Sequence, residues 1–111
     1  MRQDIPSIKI SVLDRNSQYI KEIAYGIEEE GIPYEITEEN FYDITEKAFE
    51  ISQNSRLAVG IAIDSEKAVI HFSKLRTDKP LFVVSLQETD AAKLRAYGSN
   101  AARLIKGIPF K

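Results

Sequence analysis

The sequence predicts a three-layer α/β domain: a mostly parallel five-stranded sheet flanked by helices, with one β-hairpin. Three observations carry that prediction. Short β-branched, apolar segments alternate with segments whose apolar residues recur at helical spacing, in the order strand, helix, strand, helix. One central segment, Leu57 to Ile63, is apolar over the length of a strand, as expected for a strand covered on both faces. With 111 residues at 43% hydrophobic content the chain can build one core but not two, so residues 1–111 read as a single α/β domain.

After a short leader, Ile8 to Leu13 reads as the first strand and ends at Asp14, Arg15 and Asn16, which are turn and cap residues. Ile20, Ile23, Ala24 and Ile27 then fall at i, i+3, i+4 and i+7, the buried stripe of a helix from about Ser17 to Glu30. Gly31 supplies the left-handed residue that closes its last turn, and Pro33 bars continuation. Tyr34 to Thr37 is a second strand, and Phe41, Ile44, Ala48 and Ile51 mark a second helix to about Asn54. Gly60, inside the central strand, implies a close backbone neighbour. Asp64, Ser65 and Glu66 turn the chain into Lys67 to Phe72, which fits a hairpin; Ser73 to Pro80 is a polar loop and Leu81 to Leu86 a fifth strand. Thr89 or Asp90 caps a short helix to about Tyr97, Gly98 interrupts it, and Ser99 caps a last helix closed by Gly107 and Pro109. This order implies right-handed crossovers and a Rossmann-like sheet whose crest, near Asp14, Thr37 and Asp64, is the usual ligand position.

The stretch AYGIEEEGIPYEI, Ala24 to Ile36, is the most unusual part of the chain. At 100° per residue Glu28 and Glu30 fall to either side of the buried stripe and Glu29 falls opposite it, pointing outward. Helix C-termini carry partial negative charge, so three carboxylates there each meet an unfavourable interaction of about 0.3 to 1 kcal/mol. A solvated acidic face is one reading; the other is that a cation or a basic partner docks there, as when a divalent metal takes one outward carboxylate from a neighbouring protein. Pairing of these side chains with lysines or arginines of the same chain would remove the electrostatic reason for docking.

Other chemistry is sparse. A net charge of -2 and a pI near 5.4 give no general attraction to nucleic acid or anionic lipid. The chain has no cysteine, which excludes disulfides and thiolate sites and suits a reducing cytoplasm; it shows neither a secretory leader nor an apolar run of membrane-spanning length. His71, the single histidine, lies in a strand without a metal-ligand partner and reads as structural. No G-x-S-x-G elbow, G-x-G-x-x-G turn or Walker loop is present, and Asp14, Asp43, Asp64 and Glu66 do not pair for acid and base work. In GSNAARL, Gly98, Ser99 and Asn100 open a helix whose free N–H groups offer a weak anion site, although ordinary capping explains them. The residues therefore point to a protein that works by binding another protein.

Three segments, AYGIEEEGIPYEI, SRLAVGIAID and YGSNAARLIKGIPF, together resemble the small subunit of the reactivating factor of coenzyme-B12-dependent diol and glycerol dehydratases, over nearly the whole chain. GIEEEGIP and NAARLIKGIP are shared with the dehydratase medium subunit, a related protein of the same kind of fold; that subunit is typically longer at its N-terminus. The resemblance implies a non-catalytic subunit that binds a large, chaperone-like ATPase subunit, typically as two large and two small subunits. ATP and ADP would lie on the large subunit, and exchange of the small subunit with a dehydratase subunit would release damaged cobalamin. It also implies that the middle glutamate of the run, Glu29, reaches a magnesium or calcium ion held mainly by the large subunit. Adjacency then nominates Tyr25, Glu28, Glu30, Ile32 and Tyr34 for the partner interface. The alternatives are a dehydratase medium subunit that touches cobalamin directly and a flavodoxin-like domain that binds a small ligand at the sheet crest. The implied location is the cytoplasm, freely or inside a protein-shelled bacterial microcompartment.

Overall fold

The computed structural model describes residues 5–111; residues 1–4, in the expected leader, lie outside the described residues. Five strands form one sheet: β1 (Ile8–Val12), β2 (Tyr34–Glu38), β3 (Val59–Ile63), β4 (Lys67–Phe72) and β5 (Phe82–Ser85). The helices are α1 (Gln18–Glu29), α2 (Ile44–Asn54) and α3 (Ala91–Lys106), with a 3-10 turn at Leu86–Glu88.

The sheet is mixed, which corrects the mostly parallel expectation. In the order β2-β1-β3-β4-β5, β1 pairs in parallel with β2 and β3, whereas β4 pairs antiparallel with β3 and β5. The reason lies in the connections. Parallel neighbours need a long crossover, supplied here by α1 and α2, but no helix separates β3, β4 and β5. Asp64 closes the expected hairpin by accepting the Glu66 and Lys67 N–H groups at 2.8 and 2.7 Å.

Strand alternation sorts the core onto two faces. Ile8, Ile10, Val12, Ile61 and Ile70 pack with Ile20, Ile23 and Ile27 of α1 and Leu94, Ala101 and Ala102 of α3. On the other face Ala62 and Val69 meet Ile44 and Ala48 of α2. Every residue of β3 is buried, in keeping with a strand covered on both sides. Gly60 is what allows α2 to approach: a Cβ there would stand 2.5 Å from the Ala48 carbonyl oxygen. Asp43 and Asp90 cap α2 and α3 by accepting the Glu46 and Lys93 N–H groups.

The largest correction concerns α3, which runs unbroken through Gly98. Glycine inside a helix costs about 1 kcal/mol relative to alanine. Here it serves a crossing of two helix backbones: a Cβ on Gly98 would lie 2.0 Å from the Ile23 carbonyl oxygen, and one on Gly26 only 1.9 Å from that of Arg95. Ser99 is consequently a buried mid-helix residue and caps nothing, and the amides of the GSNAARL segment are not a helix end open to an anion. No helix among the described residues is long and apolar enough to cross a membrane.

Candidate partner and metal site

The close crossing of α1 and α3 determines what happens to the acidic end of α1. The helix stops as its sequence requires, with Gly31 in the left-handed region at φ 74°. Because α3 lies against it, Glu29 and Glu30 meet residues from the other end of the chain, while Glu28 is met by Tyr34 just beyond the turn.

Glu30 is enclosed. Its carboxylate accepts from the Ser99 hydroxyl at 2.6 Å, the Arg103 Nε at 3.0 Å and the Lys106 ammonium at 3.2 Å. Lys106 also donates to the Glu30 carbonyl oxygen at 3.1 Å, so it satisfies one of the last free carbonyls of the α1 end. The Glu30 side chain is only 8% exposed. The Ser99 hydroxyl and then the Arg103 guanidinium hold its carboxyl down at about 2, Lys106 acting the same way and burial opposing them. Glu28 accepts from the Tyr34 hydroxyl at 2.7 Å, and that bond, assisted by burial, pushes the phenol up to about 12.

These contacts correct the electrostatic premise drawn from the sequence. The α1 end is satisfied within the chain, and an unbalanced acidic tip is no reason for a partner to dock. The remedy was hidden because Arg103 and Lys106 lie more than seventy residues away and only the helix crossing brings them over. The available signal was the basic last turn of α3.

Glu29 stands apart from its neighbours. Its side chain is 44% exposed, and its contacts are loose: Arg95 Nε at 3.8 Å and the Lys111 ammonium at 3.4 Å. Exposed pairs of this kind contribute little. Arg95 is more firmly bound to Glu22, at 2.8 Å, and its guanidinium sits 5.8 Å from the centre of the Tyr25 ring. Tyr25 is itself 45% exposed, so Tyr25, Arg95 and Glu29 form one accessible strip along α1 and α3. Ile32 and Tyr34 are partly buried against the core. Of the nominated residues, then, Tyr25 and Glu29 present substantial side-chain surface, Glu28 is exposed but hydrogen-bonded, and Glu30 is enclosed.

No group of three or more His, Cys, Asp or Glu side chains among the described residues is arranged to hold a metal ion. With Glu28 hydrogen-bonded to Tyr34 and Glu22 paired to Arg95, Glu29 fits a single oxygen ligand to an ion whose other ligands come from elsewhere. His71 is fully buried: its Nδ1 accepts the Phe72 N–H at 3.0 Å and its Nε2 lies 3.0 Å from the Thr77 carbonyl oxygen, so it ties the 73–80 loop to the sheet. At the crest, Asp14 and Asp64 line a crevice of about 330 Å³ and spend one carboxylate oxygen each on local turns.

Comparisons with known proteins place this geometry in context. The model of the dehydratase medium subunit family matches residues 5–111. The diol dehydratase-reactivating factor small subunit of Klebsiella michiganensis is 39% identical over 106 residues, covering 96% of this chain and 84% of that protein. The propanediol dehydratase-reactivating factor small subunit of Salmonella typhimurium is 40% identical over 106 residues, covering 96% and 90%. Among solved structures, a diol dehydratase-reactivating factor complexed with ADP and Mg2+ contains a chain that superposes with a TM-score of 0.91 at 38% identity, covering 97% of this chain and 99% of that one. A glycerol dehydratase reactivase chain superposes with a TM-score of 0.88 at 25% identity, covering 96% and 97%.

Proposed function

This chain belongs to the dehydratase medium subunit family, and we propose that within it the chain serves as the non-catalytic small subunit of a factor that reactivates coenzyme-B12-dependent diol or glycerol dehydratase. It binds a large ATPase subunit, two copies of each forming the complex, and ATP is hydrolysed on the large subunit. Exchange with a dehydratase subunit then opens the dehydratase so that damaged cobalamin leaves. The observation that carries this reading is similarity to reactivating-factor small subunits over nearly the whole chain. The surface agrees with it: Glu29 offers one outward carboxylate to a magnesium or calcium ion completed by the large subunit, and Tyr25 beside it offers an aromatic anchor. Ile32 and Tyr34 flank the same turn and belong to the proposed interface. Glu28 joins it through Tyr34, whereas the part of Glu30 is to fix the turn that presents Glu29.

The test is reconstitution. The large subunit and this chain together, with ATP, Mg2+ and added intact coenzyme B12, should restore turnover to dehydratase inactivated with adenosyl-lacking cobalamin, and neither subunit alone should do so. The family's name favours a second reading, a dehydratase medium subunit that contacts cobalamin directly. Co-purification with catalytic dehydratase subunits and bound corrinoid, together with failure of the reconstitution, would establish that reading instead.

A further inference from the structure

We infer that the chain carries a resident cation for Glu29, the Lys111 ammonium, which an incoming cation must displace before the carboxylate can engage a partner. The inference rests on the proposed role of Glu29 as a docking ligand and adds its regulation.

The geometry has two parts. The C-terminal segment is pinned along its length: Arg103 Nη1 donates to the Pro109 carbonyl oxygen at 2.9 Å, the Phe110 ring packs on Phe82 with centroids 5.5 Å apart, and the Lys111 N–H donates to the Asn100 side-chain oxygen at 2.7 Å. These contacts deliver Lys111 to the α1 end whether or not its ammonium gains anything there. The ammonium itself is loosely placed. It lies 3.4 Å from Glu29 Oε2, its side chain is 38% exposed, and Glu29 is the one carboxylate among the described residues within ion-pair range of it. Arg95 differs, because its short bond to Glu22 remains when Glu29 is taken away.

A fixed backbone with a weakly held ammonium makes an exchangeable placeholder. A divalent ion binding Glu29 at a coordination distance of about 2.0 to 2.6 Å brings twice the charge closer than Lys111 does, and displaces it at little cost to the fold. A monovalent or distant cation gains nothing over what Lys111 already supplies. Lys111 thus raises the threshold for engaging Glu29 and biases it toward multivalent cations delivered in a preformed partner site.

The experiment measures association with the large reactivating-factor subunit by calorimetry, in Mg2+ and in chelator, for wild type, Lys111→Met, Lys111→Arg, Glu29→Gln and the double variant Lys111→Met/Glu29→Gln. Lys111→Met should bind more tightly in Mg2+ by about two- to fivefold, the range set by one exposed ion pair. Lys111→Arg should stay near wild type, and the gain should vanish on the Glu29→Gln background. An unchanged or weaker Lys111→Met complex, with Glu29→Gln still impaired, overturns the placeholder while leaving the docking role of Glu29 intact. A Glu29→Gln complex as tight as wild type in Mg2+ overturns both. Because Phe110 and Pro109 keep their contacts, the melting temperature of Lys111→Met should match wild type, which separates displacement from loss of the tail.

Discussion

The inner and outer sides of the α1 end are one residue apart and behave as different materials. Glu30 faces α3, is 8% exposed and has three donors from that helix; Glu29 faces solvent, is 44% exposed and has two contacts beyond 3.3 Å. Both are glutamates of one run, Glu29 the last residue of α1 and Glu30 its C-cap. What differs is how each meets α3: Ser99, Arg103 and Lys106 close on Glu30, whereas Arg95 only approaches Glu29 at 3.8 Å. A run of like charges is therefore poorly described by its net charge: one member can be structural cement while the next stays half exposed with loose ion contacts.

The contrast between the two glutamates depends most on the helix crossing. Gly98→Ala forces a methyl group against the Ile23 backbone, where no flexible side chain can yield, and should destabilise the fold by about 3 kcal/mol in urea unfolding. It should also move Ser99 and Arg103 off Glu30 and make the inner side resemble the outer one.

Glu30→Gln tests the inner side alone. The folded-state pKa of Glu30 is lowered from 4.5 to about 2, so its stabilisation is complete above 4.5 and is lost as pH falls toward 2. The variant should melt several degrees below wild type at neutral pH, and the two melting curves should converge as the solution is acidified through that window. A gap that stays constant down to pH 2 contradicts the assignment.

Tyr34→Phe is a smaller change with the opposite pH sense. The phenol is raised from 10.0 to about 12, so its contribution is present below pH 10 and is lost as pH rises through 12. Removing the hydroxyl should cost about 0.5 kcal/mol, the low end for one hydrogen bond because Glu28 is exposed, as read by chemical denaturation at neutral pH.

Most of the fold was legible because it is local. The Ile20, Ile23 and Ile27 stripe, the apolar β3, the Asp43 and Asp90 caps and the left-handed Gly31 and Gly107 depend on neighbours within a few residues. What was misread is non-local. Gly98 has the local signature of a helix break and Ser99 that of a cap, but a backbone from α1 claims the first and Glu30 the second. The first half of the sequence, extended, predicts a mostly parallel sheet, but the hairpin at Asp64 and the helix-free 73–80 loop make β4 and its neighbours antiparallel. Helical phase alone directed Glu29 outward; it could not reveal Arg95 and Lys111 waiting there, since their approach depends on how α3 and the tail return.

The smallest effect on stability should come from Glu29→Gln, within about 0.5 kcal/mol of wild type, and that neutrality makes it the most direct probe of function. Its association with the proposed large ATPase partner, compared with wild type and Glu30→Gln in Mg2+ and in chelator, tests the division between the two sides. Wild type and Glu30→Gln should both bind more tightly in Mg2+, while Glu29→Gln should lose that metal-dependent gain, at least about tenfold in affinity. Equal affinity of Glu29→Gln and wild type under both conditions would contradict the division.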